Sequence, residues 1–263
     1  MLTLHDGTTS VCAIKVRLTM AEKGLEWTSR SLDLRRGDQF DPEYLKLNPG
    51  AVVPTLVNGD DVIVESSVIM QYLEDLAPAT TLLPASPSQR ARMRLWLKRI
   101  DDPVHPACGV LTHATAFRQS FLAKSPAEQE AHFAKIPDLG RRARQRAVYR
   151  DGLDAPIVAD AVRTHDKLLS DMEAALADAP FLAGPAYSLA DAAATPYVSR
   201  LKNLGLLDVW AATKPRVMEW YARMQQRPSF KRAITDYFSE ADAVHLASID
   251  RDAPRKIAAI LAA

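Results

Sequence analysis

Three short stretches bring together residue types that do chemistry as a set. The first is Thr8-Thr9-Ser10-Val11-Cys12. Apolar residues follow at helical spacing, so these hydroxyls are expected to stand at a helix start. There they cap first-turn N–H groups. The same place also favours an anion, because the free N–H groups and the helix dipole both point positive charge at it. A hydroxyl that donates to a thiol held there favours the thiolate and lowers its pKa from the usual value of about 8.5. The second stretch is Val53-Pro54-Thr55. Pro at the entry to an apolar strand cannot donate to a ladder. It reads as a turn end or, more sharply, as a cis Val53–Pro54 bond that leaves the Val53 backbone to pair with a peptide-like ligand. The third is Glu65-Ser66. Ser66 reads as an N-cap. The pair also suits a zwitterion, with Glu65 meeting an ammonium and Ser66 with the helix amides meeting a carboxylate.

The elements around these stretches are predicted as follows. Leu2–His5 is a short strand. Val11–Lys23 has apolar residues at 11, 14 and 18 and a stop at Gly24, which predicts an amphipathic helix. Trp27–Leu34 alternates as a strand. Asp41-Pro42 opens a short helix that ends near Asn48-Pro49-Gly50. Thr55–Val57 and Val62–Val64 flank Asn58-Gly59-Asp60, a hairpin signature. Ser66/Ser67 begin a helix through Leu76 with Val68, Ile69, Tyr72 and Leu73 on its apolar face. This βαβαββα order implies a mixed four-stranded sheet flanked by helices. Residues 78–88 are rich in proline and small residues and read as a linker. From 89 onward the pattern is helical, with segments at Gln89–Ile100, from Ser125-Pro126, Pro156–Ala177, Ala190–Leu204, Lys214–Gln226 and Pro228–Phe238. Ile257–Leu261 is placed to dock or to fray. Two domains follow: α/β over 1–77 and an all-α bundle over 89–263.

Composition narrows the function. The 263 residues carry 33 Lys plus Arg against 32 Asp plus Glu. That balance argues against a general nucleic-acid or anionic-membrane role, each of which needs a net basic face. No run approaches the ~20 apolar residues that span a bilayer. The N-terminus lacks the basic and apolar regions of a secretory signal, and a cytoplasmic location is expected. Cys12 and Cys108 are the only cysteines, and neither they nor the scattered histidines have zinc-site spacing, so no metal is expected.

Taken in order, the motifs resemble the glutathione transferase superfamily. The matching stretches are Ser10-Val11-Cys12-Ala13-Ile14-Lys15-Val16-Arg17-Leu18, Leu47-Asn48-Pro49, Val53-Pro54-Thr55-Leu56, and Val64-Glu65-Ser66 leading into Ile69-Met70-Gln71-Tyr72-Leu73. Tyr187-Ser188-Leu189-Ala190-Asp191 is similar to the family's capping box, in which Asp191 returns to the Ser188 amide.

The resemblance implies a thioredoxin-like glutathione-binding domain followed by a helical domain that binds a small hydrophobic electrophile. It implies that Ser10 is the catalytic hydroxyl that holds the glutathione sulfur, with Thr9 and Cys12 as neighbours able to share or take that role. Val53 and Pro54 would meet the cysteinyl backbone, and Glu65 and Ser66 the γ-glutamyl end. Pro106, Val110, His113, Ala114 and Phe117 are the candidates for the electrophile wall, although such a stripe also describes ordinary helix packing. Many members carry Lys or Gln immediately before the Val-Pro pair to reach the glycyl carboxylate. This chain has Val52 there, so Gln39, Lys46 or an arginine from elsewhere must substitute. The resemblance also implies a homodimer. The basic segment 124–156 reads first as a solvated helix face. It is also loosely similar to the insertion of bacterial β-aryl etherase-type members, which makes glutathione-dependent ether cleavage a named alternative. Two other classes stay open: a non-catalytic binding protein of the same fold, and a reductase working through Cys12 with glutathione as the resolving thiol.

Overall fold

The computed structural model describes residues 1–247 and 252–263. It divides into two compact units. One comprises Met1–Leu97, Asp178–Pro196 and Trp220–Ser239, and the other Lys98–Ala177, Tyr197–Glu219 and Glu240–Ala263.

The first unit contains a four-stranded sheet in the order β2-β1-β3-β4. Its strands are β1 (Leu2–Asp6), β2 (Trp27–Ser31), β3 (Thr55–Asn58) and β4 (Asp61–Ile63). β1 runs parallel to β2 and antiparallel to β3, with Leu4 opposite both Ser29 and Leu56. Helix α1 (Val11–Glu22) makes the crossover between β1 and β2. α2 is Pro42–Leu47 and α3 is Ser66–Leu76. This is the expected βαβαββα mixed sheet. The β3–β4 turn is tighter than the expected one. Asn58 pairs with Asp61, which leaves Gly59 and Asp60 in the loop, and Gly59 has φ +62°.

The apolar core of this sheet comprises Leu2, Leu4, Val16, Met20, Leu56, Ile69 and Leu73. Each large side chain removed from water in this way contributes about 1.5–3 kcal/mol. The expected face of α3 needs one correction. Val68 is 51% exposed, and Met70 takes the inward position instead. β2 ends at Ser31 rather than Leu34. The Asp33 carboxylate accepts from the Arg35 and Arg36 amides and turns the chain.

Later segments complete the unit. α12 (Pro228–Ala233) lies along α1. Arg227 donates twice to Glu22, and Ser229 also donates to it. The expected single helix 228–238 breaks at Ile234, and a 3₁₀ turn follows at Thr235–Tyr237. Arg17 Nε takes the Ala233 carbonyl that a continuing helix would use. The capping box at the start of α10 (Leu189–Asn203) is present and goes further than expected. The fully buried Asp191 accepts from the amides of Leu182 and Ser188, the Ser188 hydroxyl and the Trp220 indole at 2.9–3.1 Å.

The second unit is built of helices. α4 (Pro87–Arg99) belongs to the first unit as far as Leu97, and a wide turn follows at Ile100–Val104 that contains a cis Asp102–Pro103 bond. Then come α5 (His105–Ala114), α6 (Arg118–Leu122), α7 (Pro126–Ala134), α8 (Leu139–Asp151) and α9 (Pro156–Asp178). α11 is Pro215–Gln225, which passes into the first unit at Trp220, α13 is Glu240–Ala247 and α14 is Ala253–Ala262. α14 docks: Ile257 is fully buried and Lys256 pairs with Asp154.

Asp191→Ala strands four donors that no longer find an acceptor. Unfolding by urea is expected to show a loss of roughly 3–5 kcal/mol. A loss under 1 kcal/mol would contradict the four-bond geometry.

Candidate active site

Ser10 owes its position to a buried ion pair. Arg17 and Asp6 are both fully buried, and Arg17 Nη1 meets Asp6 Oδ2 at 2.8 Å. The same guanidinium donates to the carbonyls of Thr8 at 2.7 Å and Gly7 at 3.4 Å. Burial works against its charge, and the Asp6 carboxylate works to keep it. Tyr237 covers its outer face, 4.0 Å from the ring centre. The β1–α1 loop is therefore held from within. Gly7 lets Leu34 approach it closely, since a Cβ there would stand 2.9 Å from Leu34 Cδ1 and push that side chain aside. Ser10 closes the loop as the N-cap of α1. Its amide bonds the Gly7 carbonyl at 3.0 Å, and its Oγ accepts from the Ala13 amide at 3.3 Å. The cap uses the oxygen as an acceptor and leaves the O–H to donate outward. Capping and thiol activation are thus compatible roles of one hydroxyl. Thr9 and Cys12 flank it, and both are half-buried.

The Val53–Pro54 bond is cis. A polar clamp sets the turn before it. The Tyr44 hydroxyl lies 2.5 Å from the Val52 carbonyl and 3.0 Å from Thr55 Oγ1. Asn48 Nδ2 donates to the same two oxygens at 3.0 and 3.2 Å. Burial raises the Tyr44 pKa, so this hydroxyl stays protonated and keeps donating. Among the described residues, no hydrogen bond is made by the backbone of Val53. Of the substitutes expected for the Lys or Gln before the Val-Pro pair, Lys46 pairs at the surface with Glu43 at 2.6 Å, and the buried Gln39 turns its amide nitrogen to the Leu34 carbonyl.

Glu65 and Ser66 meet at the start of α3. Glu65 is exposed and has φ +65° and ψ 110°, a backbone region seldom adopted by residues with a side chain. Ser66 and Ser67 are buried, and beneath them the ammonium of Lys15 donates to both hydroxyls.

Pro106, His113 and Phe117 are partly buried in the second unit, whereas Val110 and Ala114 are buried. His113 belongs to a polar chain absent from the sequence reading. Its Nδ1 is 2.6 Å from the Tyr149 hydroxyl, and its Nε2 is 3.3 Å from the Gln145 amide nitrogen. The Gln145 oxygen in turn meets His132. Phe117 stands edge-on to the His113 ring and stacks on His245. Burial, with help from His132, Arg200 and Arg141, pulls the His113 pKa down to about 3. The basic segment keeps polar contacts at its surface: Arg146 forks onto Glu130 at 2.6 Å, and Arg142 donates to the Ile136 carbonyl in the turn after α7.

Residues 9–76 match the glutathione S-transferase N-terminal domain, and residues 141–223 match the C-terminal domain. The tetrachloro-p-hydroquinone reductive dehalogenase of Sphingobium chlorophenolicum is 33% identical over 239 residues, which cover 88% of this chain and 95% of that protein. The chain belongs to the glutathione S-transferase family. The glutathione S-transferase TCHQD of Arabidopsis thaliana is 28% identical over 88% of each chain. The crystal structure of the beta-etherase LigF from Sphingobium sp. strain SYK-6 superposes with a TM-score of 0.81 at 26% identity, covering 88% of this chain and 98% of that one.

Within this family member, sequence reasoning missed Lys15, Arg17, Tyr44 and the Gln145–Tyr149 pair. Lys15 and Arg17 had one available signal. α1 carries apolar residues on several faces, so charges set among them cannot all reach water. Nothing local marks Gln145 and Tyr149, because their partner lies on another helix.

Stability should fall as the pH drops below about 6.5. His113 and His165 are held at about 3 and about 4 in the folded chain, each chiefly by burial. The unfolded chain takes up those protons first, so each costs about 1.4 kcal/mol per pH unit in that window. Asp191 acts in the opposite sense. Burial holds it at about 6, above its ordinary 3.8, so below pH 6 it offsets one imidazole. Urea unfolding at pH 7.5, 6 and 5 measures the slope. His113→Gln is expected to flatten it, and an identical slope in the variant would contradict a buried neutral ring.

Proposed function

We propose that the chain binds glutathione along the Val53–Pro54 turn and the start of α3, and that Ser10 holds its sulfur as thiolate. The observation that carries this reading is the state of Ser10. Its oxygen is occupied by the Ala13 amide, and its hydrogen is left to donate from the N-terminal end of α1. Val53 offers its unpaired backbone to the cysteinyl residue. Glu65 and Ser66 offer a carboxylate and a donor to the γ-glutamyl zwitterion. The chemistry is nucleophilic displacement. The sulfur forms a bond to an electrophilic carbon while the bond to the leaving group breaks, and the electron pair departs with that group. The protein contributes an ionised thiol and a positioned electrophile. Pro106, Val110, His113, Ala114 and Phe117 are assigned to the electrophile wall.

A second reading is favoured by the likeness to a beta-etherase. The leaving group is then an aryloxide, and the reaction is glutathione-dependent cleavage of a β-aryl ether. We take 1–77 as the glutathione-binding domain, 78–88 as the linker and 89–263 as the electrophile-binding domain, in a cytoplasmic homodimer. Among the described residues no helix is long and apolar enough to cross a membrane.

Ser10→Ala and Cys12→Ala, assayed with an aryl halide and a β-aryl ether, separate the readings. Loss of one donor to a thiolate is worth about 1.5–3 kcal/mol, so Ser10→Ala should lower kcat/KM roughly 10- to 100-fold. It should also raise the pKa in the pH–rate profile by about one to two units. Cys12→Ala should leave both readouts unchanged. The reverse pattern would make Cys12 the working group and the chemistry redox.

A further inference from the structure

Lys15 sits in the middle of α1, and its side chain is fully buried. Its ammonium donates to Ser66 Oγ at 3.0 Å and to Ser67 Oγ at 2.8 Å, across 51 and 52 positions of sequence. An ammonium has three donors and no acceptor. Neither serine can donate back to it, so each O–H must be given elsewhere. A hydroxyl that receives a charged donor is also polarised into a stronger donor itself. Ser66 is the first residue of α3, where unpaired backbone N–H groups already favour an anion. The buried charge adds to that potential in surroundings that screen it less than water does. Glu65, immediately before, is exposed and carries the opposite charge. The order from surface to interior is therefore carboxylate, serine donor, cation.

We propose that Lys15 is a positioning residue for the carboxylate end of the bound zwitterion. It fixes Ser66 as a one-way donor and supplies the positive charge beneath it. The γ-glutamyl α-carboxylate is thereby directed to Ser66 and the ammonium to Glu65. This assignment rests on the glutathione-binding reading above.

Binding calorimetry with two ligands tests it. One ligand is glutathione. The other is γ-aminobutyryl-cysteinylglycine, which is glutathione without that α-carboxylate. Wild type is expected to prefer glutathione by roughly tenfold or more. Lys15→Met is expected to lose most of that preference and to bind the analogue as wild type does. In turnover with an aryl halide, the variant's KM for glutathione rises. Its kcat at saturating glutathione and the pH profile of kcat stay in place, because the interaction is made equally in ground and transition states. A Lys15 that only ties α1 to α3 would weaken both ligands alike. That outcome, or an unchanged preference, overturns the assignment. If Lys15→Met does not fold, Ser67→Ala carries the same comparison. It unhooks the shorter of the two contacts and should lose part of the preference, and full retention overturns the proposal. If wild type binds neither ligand, the glutathione reading fails and this assignment falls with it.

Discussion

The buried contact between Arg17 and Asp6 is the constraint on which the rest depends. One guanidinium holds the end of β1 through Asp6, the β1–α1 loop through the carbonyls of Gly7 and Thr8, and α12 through the carbonyl of Ala233. A charge this deep is tolerated only when nearly every donor is used. That requirement makes the loop rigid, and Ser10 inherits the rigidity. Side chains that would be ordinary on a surface become determinants of geometry here, because the interior leaves them no alternative partners.

The same logic recurs at the two other corners of the site. Tyr44 and Asn48 saturate the Val52 carbonyl and Thr55, so the turn before Pro54 has one arrangement. Lys15 gathers Ser66 and Ser67 beneath α3. At each corner a buried polar group faces inward and fixes the backbone, and a backbone or hydroxyl group is left facing out. Binding groups on such a scaffold lose little freedom when a ligand arrives, which is the usual route to affinity without a large contact area.

Much of the fold was legible in the sequence because periodicity and turn residues are local. The β1–α1–β2 start, the Asn58–Gly59 hairpin and the Ser188–Asp191 box all announce themselves within a few residues. Of the boundaries that differed, the end of β2 is set by the local turn at Asp33 and the end of α12 by a distant partner. α12 stops at Ala233 because Arg17 takes a carbonyl there, and Val68 faces water because it lies about 200° round α3 from the buried Met70. Ser10, Pro54, Glu65 and Ser66 could be singled out by type and order. Lys15, Arg17 and the His113–Tyr149 contact could not, since their meaning lies in partners 11 to 216 positions away. A reading by sequence alone also treats charge as surface, and Lys15 and Arg17 break that habit.

The reach of Arg17 to Ala233 spans 216 positions, and Glu22 is likewise tied to Arg227 and Ser229. Vectorial synthesis therefore delivers the sulfur-handling loop long before the segment that completes its support. At ~5–20 residues per second the interval is on the order of ten seconds or more. During that time the nascent α/β segment carries an arginine without its far tether. An excised thioredoxin-like module would be left permanently in that state. Swapping such modules between relatives transplants the loop but not the distal residues that hold it, so α12 and the turn at Tyr237 have to travel with it.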